Sequence, residues 1–222
     1  MRFIQWLICL CFITQPAFAA PYYAAKTIPP TLISPPYANG SAEQKTDLES
    51  IIAIQAKADP AEVKAANAER SMSVEMFAAQ VDASLTPANY PKLYILLTRV
   101  EETSRAVTDQ AKDYYAMKRP YLLDSRIKTL VKPHDNPAYP SGHTSGGYIL
   151  AHTLGMVMPQ KQAEFLSLAN SIANHRVLVG MHFPHDLTGG RELAWLMAGA
   201  LTQTPQFQAD LAAAKKEMLQ EK

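Results

Sequence analysis

Prolines cut this chain into stretches of helical character. Pro60, Pro91, Pro184 and Pro205 each stand at the head of such a stretch, and Pro159 opens "QKQAEFLSLANSIANHRVLV". Proline suits the first turn of a helix, where its missing N–H would have had no partner, and breaks one further in. Asp59 is placed to cap the helix that begins at Pro60, and "TDLESIIAIQAKA" must end before it. "SVEMFAAQV" reads as a short helix, and "KLYILLTRVEETSRAVTDQAKDYYAMK" runs from Pro91 to its stop at Pro120. Ser141 can cap "GHTSGGYILAHTLGMVM", and a last helix spans about Pro205 to Leu219. Few windows alternate with the period of two that a half-buried strand needs. The expected fold is all-α, a single-domain bundle of seven or eight helices.

The first residues read differently. Arg2 precedes an apolar run, Pro16 breaks it, and Ala17-Phe18-Ala19 offers the small-x-small pattern of a cleavage site, so residues 1–19 are expected to be a secretory signal. A spanning helix needs about 20 uninterrupted apolar residues, whereas this run carries Gln5, Thr14, Gln15 and Pro16. Both cysteines, Cys9 and Cys11, fall inside it. Removing 19 of 222 residues leaves 203 with no disulfide and no cysteine-ligated metal. Loss of Arg2 also leaves 20 basic against 20 acidic side chains, a balance that points to neither nucleic acid nor an anionic membrane as partner. Residues 20–42, with Pro29-Pro30 and Pro35-Pro36, read as an extended arm, and residues 43–222 as the helical domain. The expected location is the periplasm or the secreted fraction, with no membrane anchor after cleavage.

Chemistry is concentrated in the second half, where all six histidines and eight of nine glycines lie between residues 134 and 199. Arg176 falls on the apolar stripe of Phe165, Leu168/Ala169, Ile172 and Val179, so an inward cation there needs a carboxylate or an anionic ligand. In "YPSGHTSGG" the amides that open the helix after Ser141 have no intrahelical acceptor and sit at the positive end of its dipole, a ready anion site beside His143. Lys112 and Arg119, seven residues apart, would share one helix face. In "GMHFPHDLTGG", His182 and Asp186 are four apart, so the carboxylate can fix one imidazole nitrogen and leave the other as an oriented nucleophile or base. A metal site of His182, His185 and Asp186 is the rival reading. Gly180 would ease the turn before His182, and Gly189 and Gly190 would allow a close helix approach.

Taken in order, Lys112 with Arg119-Pro120, then Pro140-Ser141-Gly142-His143, then Arg176 with His182 and Asp186 form three blocks of fixed internal spacing. This signature resembles the type 2 phosphatidic acid phosphatase superfamily, which includes class A non-specific acid phosphatases, membrane lipid phosphatases and vanadium haloperoxidases. The likeness to the exported acid phosphatases runs from about Leu93 to the tail "TPQFQADLAAAKKEM" and is loose before Asn89. It implies a helical acid phosphatase acting on small phosphomonoesters without a metal or other cofactor, with oligomerisation suggested by likeness alone. His182 would form a phosphohistidine, Asp186 would orient it, and His143 would protonate the leaving group. Lys112, Arg119, Arg176 and the amides of Ser141 and Gly142 would hold the phosphate oxygens, so that the missing partner of Arg176 is the substrate. The same pocket could instead hold vanadate in a haloperoxidase, or pass the phosphoryl group to an alcohol. His175 stands where the family usually has serine, and "IKTLVKPHDNPAYPSGH" lacks the cysteines of some relatives. His134, His152 and His185 match no motif position and are expected to be structural or exposed.

Overall fold

The computed structural model describes residues 20–220, so the signal-like segment lies outside the described residues. Among them are eight α-helices and no strand: α1 (Ala42–Gln55), α2 (Pro60–Ala68), α3 (Val74–Val81), α4 (Pro91–Tyr115), α5 (Gly142–Val157), α6 (Gln162–Leu178), α7 (Pro184–Thr202) and α8 (Pro205–Gln220). The caps follow the sequence. Ser41, Asp59, Ser73 and Ser141 each accept a hydrogen bond from an amide of the first turn, while α4 and α7 open on proline. None of the helices among the described residues is long and apolar enough to cross a membrane.

α5 is the hub, packed against α4, α6, α7 and α8. It is apolar on most of its circumference, with Ile149, Leu150, Ala151 and Leu154 almost wholly buried, as expected of a helix with neighbours on several sides. Its seam with α7 is made by absence of side chain: a Cβ on Gly190 would lie 2.8 Å from Thr144 Cβ and 2.9 Å from the Ser141 carbonyl, and one on Gly189 would run into Tyr139. This close approach brings the two helix starts together.

Two expectations need correction. α4 ends at Tyr115, because Ala116 adopts left-handed backbone (φ 50°, ψ 33°) and closes the helix with its N–H on Lys112 O. Arg119 therefore shares no helix face with Lys112; it lies beyond the turn, where the chain doubles back. The arm over residues 20–42 is not extended throughout, since it contains 3-10 turns at Ala25–Thr27 and Pro30–Leu32. It lies across α4 and α7. Tyr22 N–H donates to Thr103 Oγ1 at 2.9 Å, Tyr115 O–H donates to Pro30 O at 3.0 Å, and Ser34 donates to both oxygens of Glu192 at 2.7 and 2.8 Å.

Gly190→Ala should force α5 and α7 apart and cost about 1–3 kcal/mol. Thermal unfolding should show a drop of roughly 2–4 °C per kcal/mol at this chain length, and an unchanged midpoint would mean that the seam gives way freely.

Candidate functional site

Lys112 at the end of α4, Arg119 beyond it, Arg176 at the end of α6, and His182 and Asp186 at the start of α7 are each no more than 3% exposed. Buried charges need partners, and those partners define what the site lacks.

Gly180, at φ +74°, makes the turn out of α6, and the N–H groups of Met181 and His182 both reach back to Arg176 O. A side chain at Gly180 would be strained by that backbone and would meet Lys128 O. Pro184 then starts α7 and turns Asp186 back on its own N-terminus: its Oδ2 accepts from Phe183 N–H at 3.0 Å and lies 2.9 Å from His182 Nδ1. The other imidazole nitrogen, Nε2, is 2.8 Å from Arg119 Nη1. A guanidinium can only donate, so Nε2 is the acceptor and Nδ1 carries the proton to Asp186. The tautomer is thus fixed with the Nε2 lone pair facing the cations. Burial, and then Arg119 and Lys112, hold this imidazole well below the ordinary histidine range. Burial pushes the Asp186 carboxyl upward, opposed by the Phe183 N–H and the same two cations.

Backbone carbonyls solvate the cations. Lys112 Nζ donates to Pro137 O (2.6 Å) and Ala138 O (3.2 Å), and burial followed by Arg119 pushes its pKa down. Arg119 donates to Asn136 O, Asn136 Oδ1 and Met181 O. Arg176 Nη2 donates to Ala66 O at 2.6 Å and to Glu69 Oε2 at 3.3 Å, while its buried Nε has no partner among the described residues. A carboxylate therefore does face Arg176, which corrects the expectation that substrate alone would satisfy it. Glu69 Oε2 also binds His175 Nδ1 at 2.7 Å.

The start of α5 needs a second correction. Ser141 N–H is already taken by Asp186 O at 3.0 Å, so this amide is not free for a ligand. Ser141 Oγ accepts from Thr144 N–H and Thr144 O–H, and its own hydroxyl proton remains available. The Gly142 and His143 amides stand at the helix N-terminus. His143 Nε2 lies 3.0 Å from Glu69 O, and burial followed by Arg176 pushes its pKa down to about 3. With both imidazoles neutral, three cations face the carboxylates of Asp186 and Glu69. One positive charge and a helix N-terminus are left over, which is the electrostatics of an oxyanion site.

A cavity of about 320 Å³ adjoins this centre, lined by Lys112, Gly142 and His143 and continuing past Met72, Leu150, Arg70 and Asp109. His134, expected to be structural or exposed, also lines it, 6.2 Å from the His143 ring. His185 turns away from His182 and Asp186: its Nε2 donates to Pro35 O and its ring stacks on Tyr37 at 3.9 Å. His152 packs against Trp195 on the far side of α5. Sequence reasoning missed Glu69, Asn136 and His134. Glu69 carries no motif, and only the demand of a buried Arg176 for a carboxylate pointed to a residue of its kind.

A buried imidazole held by a carboxylate, ringed by cations and set against a helix N-terminus, has the chemistry that suits a tetrahedral oxyanion. A family model described as the PAP2 superfamily matches residues 93–210, and the chain belongs to that superfamily. It is 27% identical to a non-specific acid phosphatase of Salmonella typhimurium over 91% of this chain and 89% of that protein. It is 30% identical to a non-specific acid phosphatase of Providencia stuartii over 60% of this chain and 56% of that protein. A protein of Zymomonas mobilis named acid phosphatase is 27% identical over 64% of this chain and 55% of its own length.

In the ligand-free protein, imidazole ¹⁵N shifts should report His182 as neutral with its proton on Nδ1 from pH 7.5 down to about 5, below the ordinary histidine midpoint. A titration near pH 6.5 would mean that the ring does not sit among the cations described.

Proposed function

We propose that the protein is an exported, metal-independent acid phosphatase that hydrolyses small phosphomonoesters through a phosphohistidine on His182. The observation that carries this is the tautomer of His182. With Nδ1–H committed to Asp186, Nε2 offers a lone pair at the point where Lys112, Arg119 and Arg176 converge, and a phosphate drawn in by those cations is delivered to it. Membership of the PAP2 superfamily and likeness to proteins named acid phosphatase support the same reading.

In the free site Arg119 Nη1 occupies Nε2. An arriving phosphate offers the guanidinium a better acceptor, because charge-assisted hydrogen bonds to an anion are the stronger ones, and the lone pair is released. Nε2 then attacks phosphorus in line, the P–O bond to the leaving group breaks, and His143 gives its proton to the departing oxygen. Lys112, Arg119, Arg176, the amides of Gly142 and His143 and the hydroxyl of Ser141 stabilise the nonbridging oxygens, the larger part of catalysis in phosphoryl transfer. Water next attacks the phosphohistidine, His143 takes back a proton, and inorganic phosphate leaves.

The pH dependence follows from His143. Burial beside Arg176 keeps it neutral in the empty site, and the negative charge of bound phosphate raises its pKa, so the acid is loaded only with substrate present. A phosphomonoester has its own second pKa near about 6 and as a monoanion can bring the proton in. Both sources fade as pH rises, so activity should fall on the alkaline side. The signal-like residues 1–19 support export, with residues 20–42 as a strap on a catalytic body of 43–222.

The purified protein should release phosphate from p-nitrophenyl phosphate at about pH 5–6. Activity should survive EDTA, fall with orthovanadate, decline above pH 7, and drop by about 10⁴-fold or more in His182→Ala. Loss with EDTA that a divalent ion restores would make His182 and Asp186 ligands instead, and a rate rising steadily into alkaline pH would remove His143 as the acid. Vanadate-supported halide oxidation in place of ester hydrolysis would identify a haloperoxidase.

A further inference from the structure

The hydrogen bonds around Arg176 lead outside the three sequence blocks, to one residue that touches both the cationic and the acid side of the site. Glu69 sits in the 3-10 turn Glu69–Ser71 that follows α2 and is 4% exposed. Its carboxylate Oε2 holds Arg176 Nη2 at 3.3 Å and His175 Nδ1 at 2.7 Å, and its carbonyl lies 3.0 Å from His143 Nε2. A carbonyl only accepts, so Nε2 of His143 keeps its proton in both charge states. The proton that comes and goes is then the one on Nδ1.

We infer that Glu69 is a positioning residue for phosphoryl transfer: it sets the Arg176 guanidinium with its side chain and the His143 imidazole with its carbonyl, and His175 is the clamp that holds it. This rests on the phosphatase reading above. Glu69 acts by anchoring. Apart from Glu69, the acceptor on Arg176 among the described residues is Ala66 O, bound to the same Nη2. The carboxylate gives Nη2 a second, charged acceptor, and without it that atom keeps a single neutral carbonyl, so the guanidinium is held less firmly. Glu69 is in turn fixed by His175, whose bond to it is the shorter of the two. An imidazole at position 175 has the reach to grip Glu69, and the serine usual in the family is a shorter side chain. The same turn and the Met72 that follows it supply Arg70, Ser71 and Met72 to the wall of the adjoining cavity, so displacing Glu69 also shifts the surface on which a leaving group rests.

The two ends of this arrangement predict opposite effects on ground-state binding. Glu69→Gln removes a negative charge beside the phosphate site while loosening Arg176, so kcat should fall about 10- to 100-fold, the scale of a misplacement near 1 Å. Inhibition by inorganic phosphate should tighten about threefold or more, since a repelling carboxylate is gone. His175→Ser frees the carboxylate to close on Arg176 and compete with phosphate, so inhibition should weaken about threefold, with a smaller loss of kcat. In the double variant the serine should add nothing to the effect of Glu69→Gln, because the residue it releases is no longer charged.

The experiment measures p-nitrophenyl phosphate hydrolysis and inorganic phosphate inhibition for the parent, both single variants and the double variant. Loss of folded protein lowers kcat without moving the inhibition constant, so the opposite shifts separate positioning from a scaffold role. The inference is overturned if Glu69→Gln keeps the parent kcat, if its kcat and phosphate affinity fall together, or if the two substitutions add. Should Glu69→Gln fail to fold, His175→Ser carries the test alone, and unchanged inhibition in that variant overturns the inference. A parent that does not hydrolyse the ester defeats the phosphatase reading itself. An active parent indifferent to Glu69 defeats only this inference.

Discussion

Holding Lys112, Arg119 and Arg176 close together inside a protein is the constraint that shapes the rest of this fold. Each is almost fully buried, and like charges at this range repel. Cohesion comes largely from backbone carbonyls: Pro137 and Ala138 on Lys112, Asn136 and Met181 on Arg119, Ala66 on Arg176. Such carbonyls are available only where the chain is not spending them in a helix ladder. This gives a physical reason for the irregular passage between α4 and α5 and for the turn at Gly180. These segments have to stay out of regular structure so that their oxygens can face inward.

Carbonyl dipoles leave the net charge untouched, in contrast to carboxylates. Asp186 and Glu69 neutralise only part of the cationic cluster, and Asp186 is occupied with His182 and Phe183. The protein therefore stays folded around a surplus of positive charge, preorganised before any ligand arrives. Preorganisation of this kind costs stability in the empty protein and is recovered when charge develops at the reacting centre.

Much of this was legible in the residues. Proline and cap positions marked α2, α4, α5, α7 and α8, because those signals are local and act within a turn of the residue that makes them. His182 and Asp186 could be paired for the same reason, being four apart across a helix start. Arg176 betrayed itself by interrupting an apolar stripe. What could not be read depended on backbone path. The left-handed Ala116 ended α4 early and moved Arg119 off the helix, although alanine carries no signal for that conformation. The capture of Ser141 N–H by Asp186 O, and the arrival of Glu69 more than a hundred residues before Arg176 in sequence, arise from packing between elements that no local pattern encodes.

The arm has a consequence of its own. It is fastened at one end to α4, through Thr103 and Tyr115, and at the other to α7, through Glu192 and His185. Those helices carry Lys112 and Asp186, which belong to the first and third sequence blocks. A strap pinned to both helices couples them. It resists sliding of α4 against α7, and so ties the first block to the third. The polypeptide ahead of α1 is in this sense a tie between two helices, fastened by hydrogen bonds at both ends.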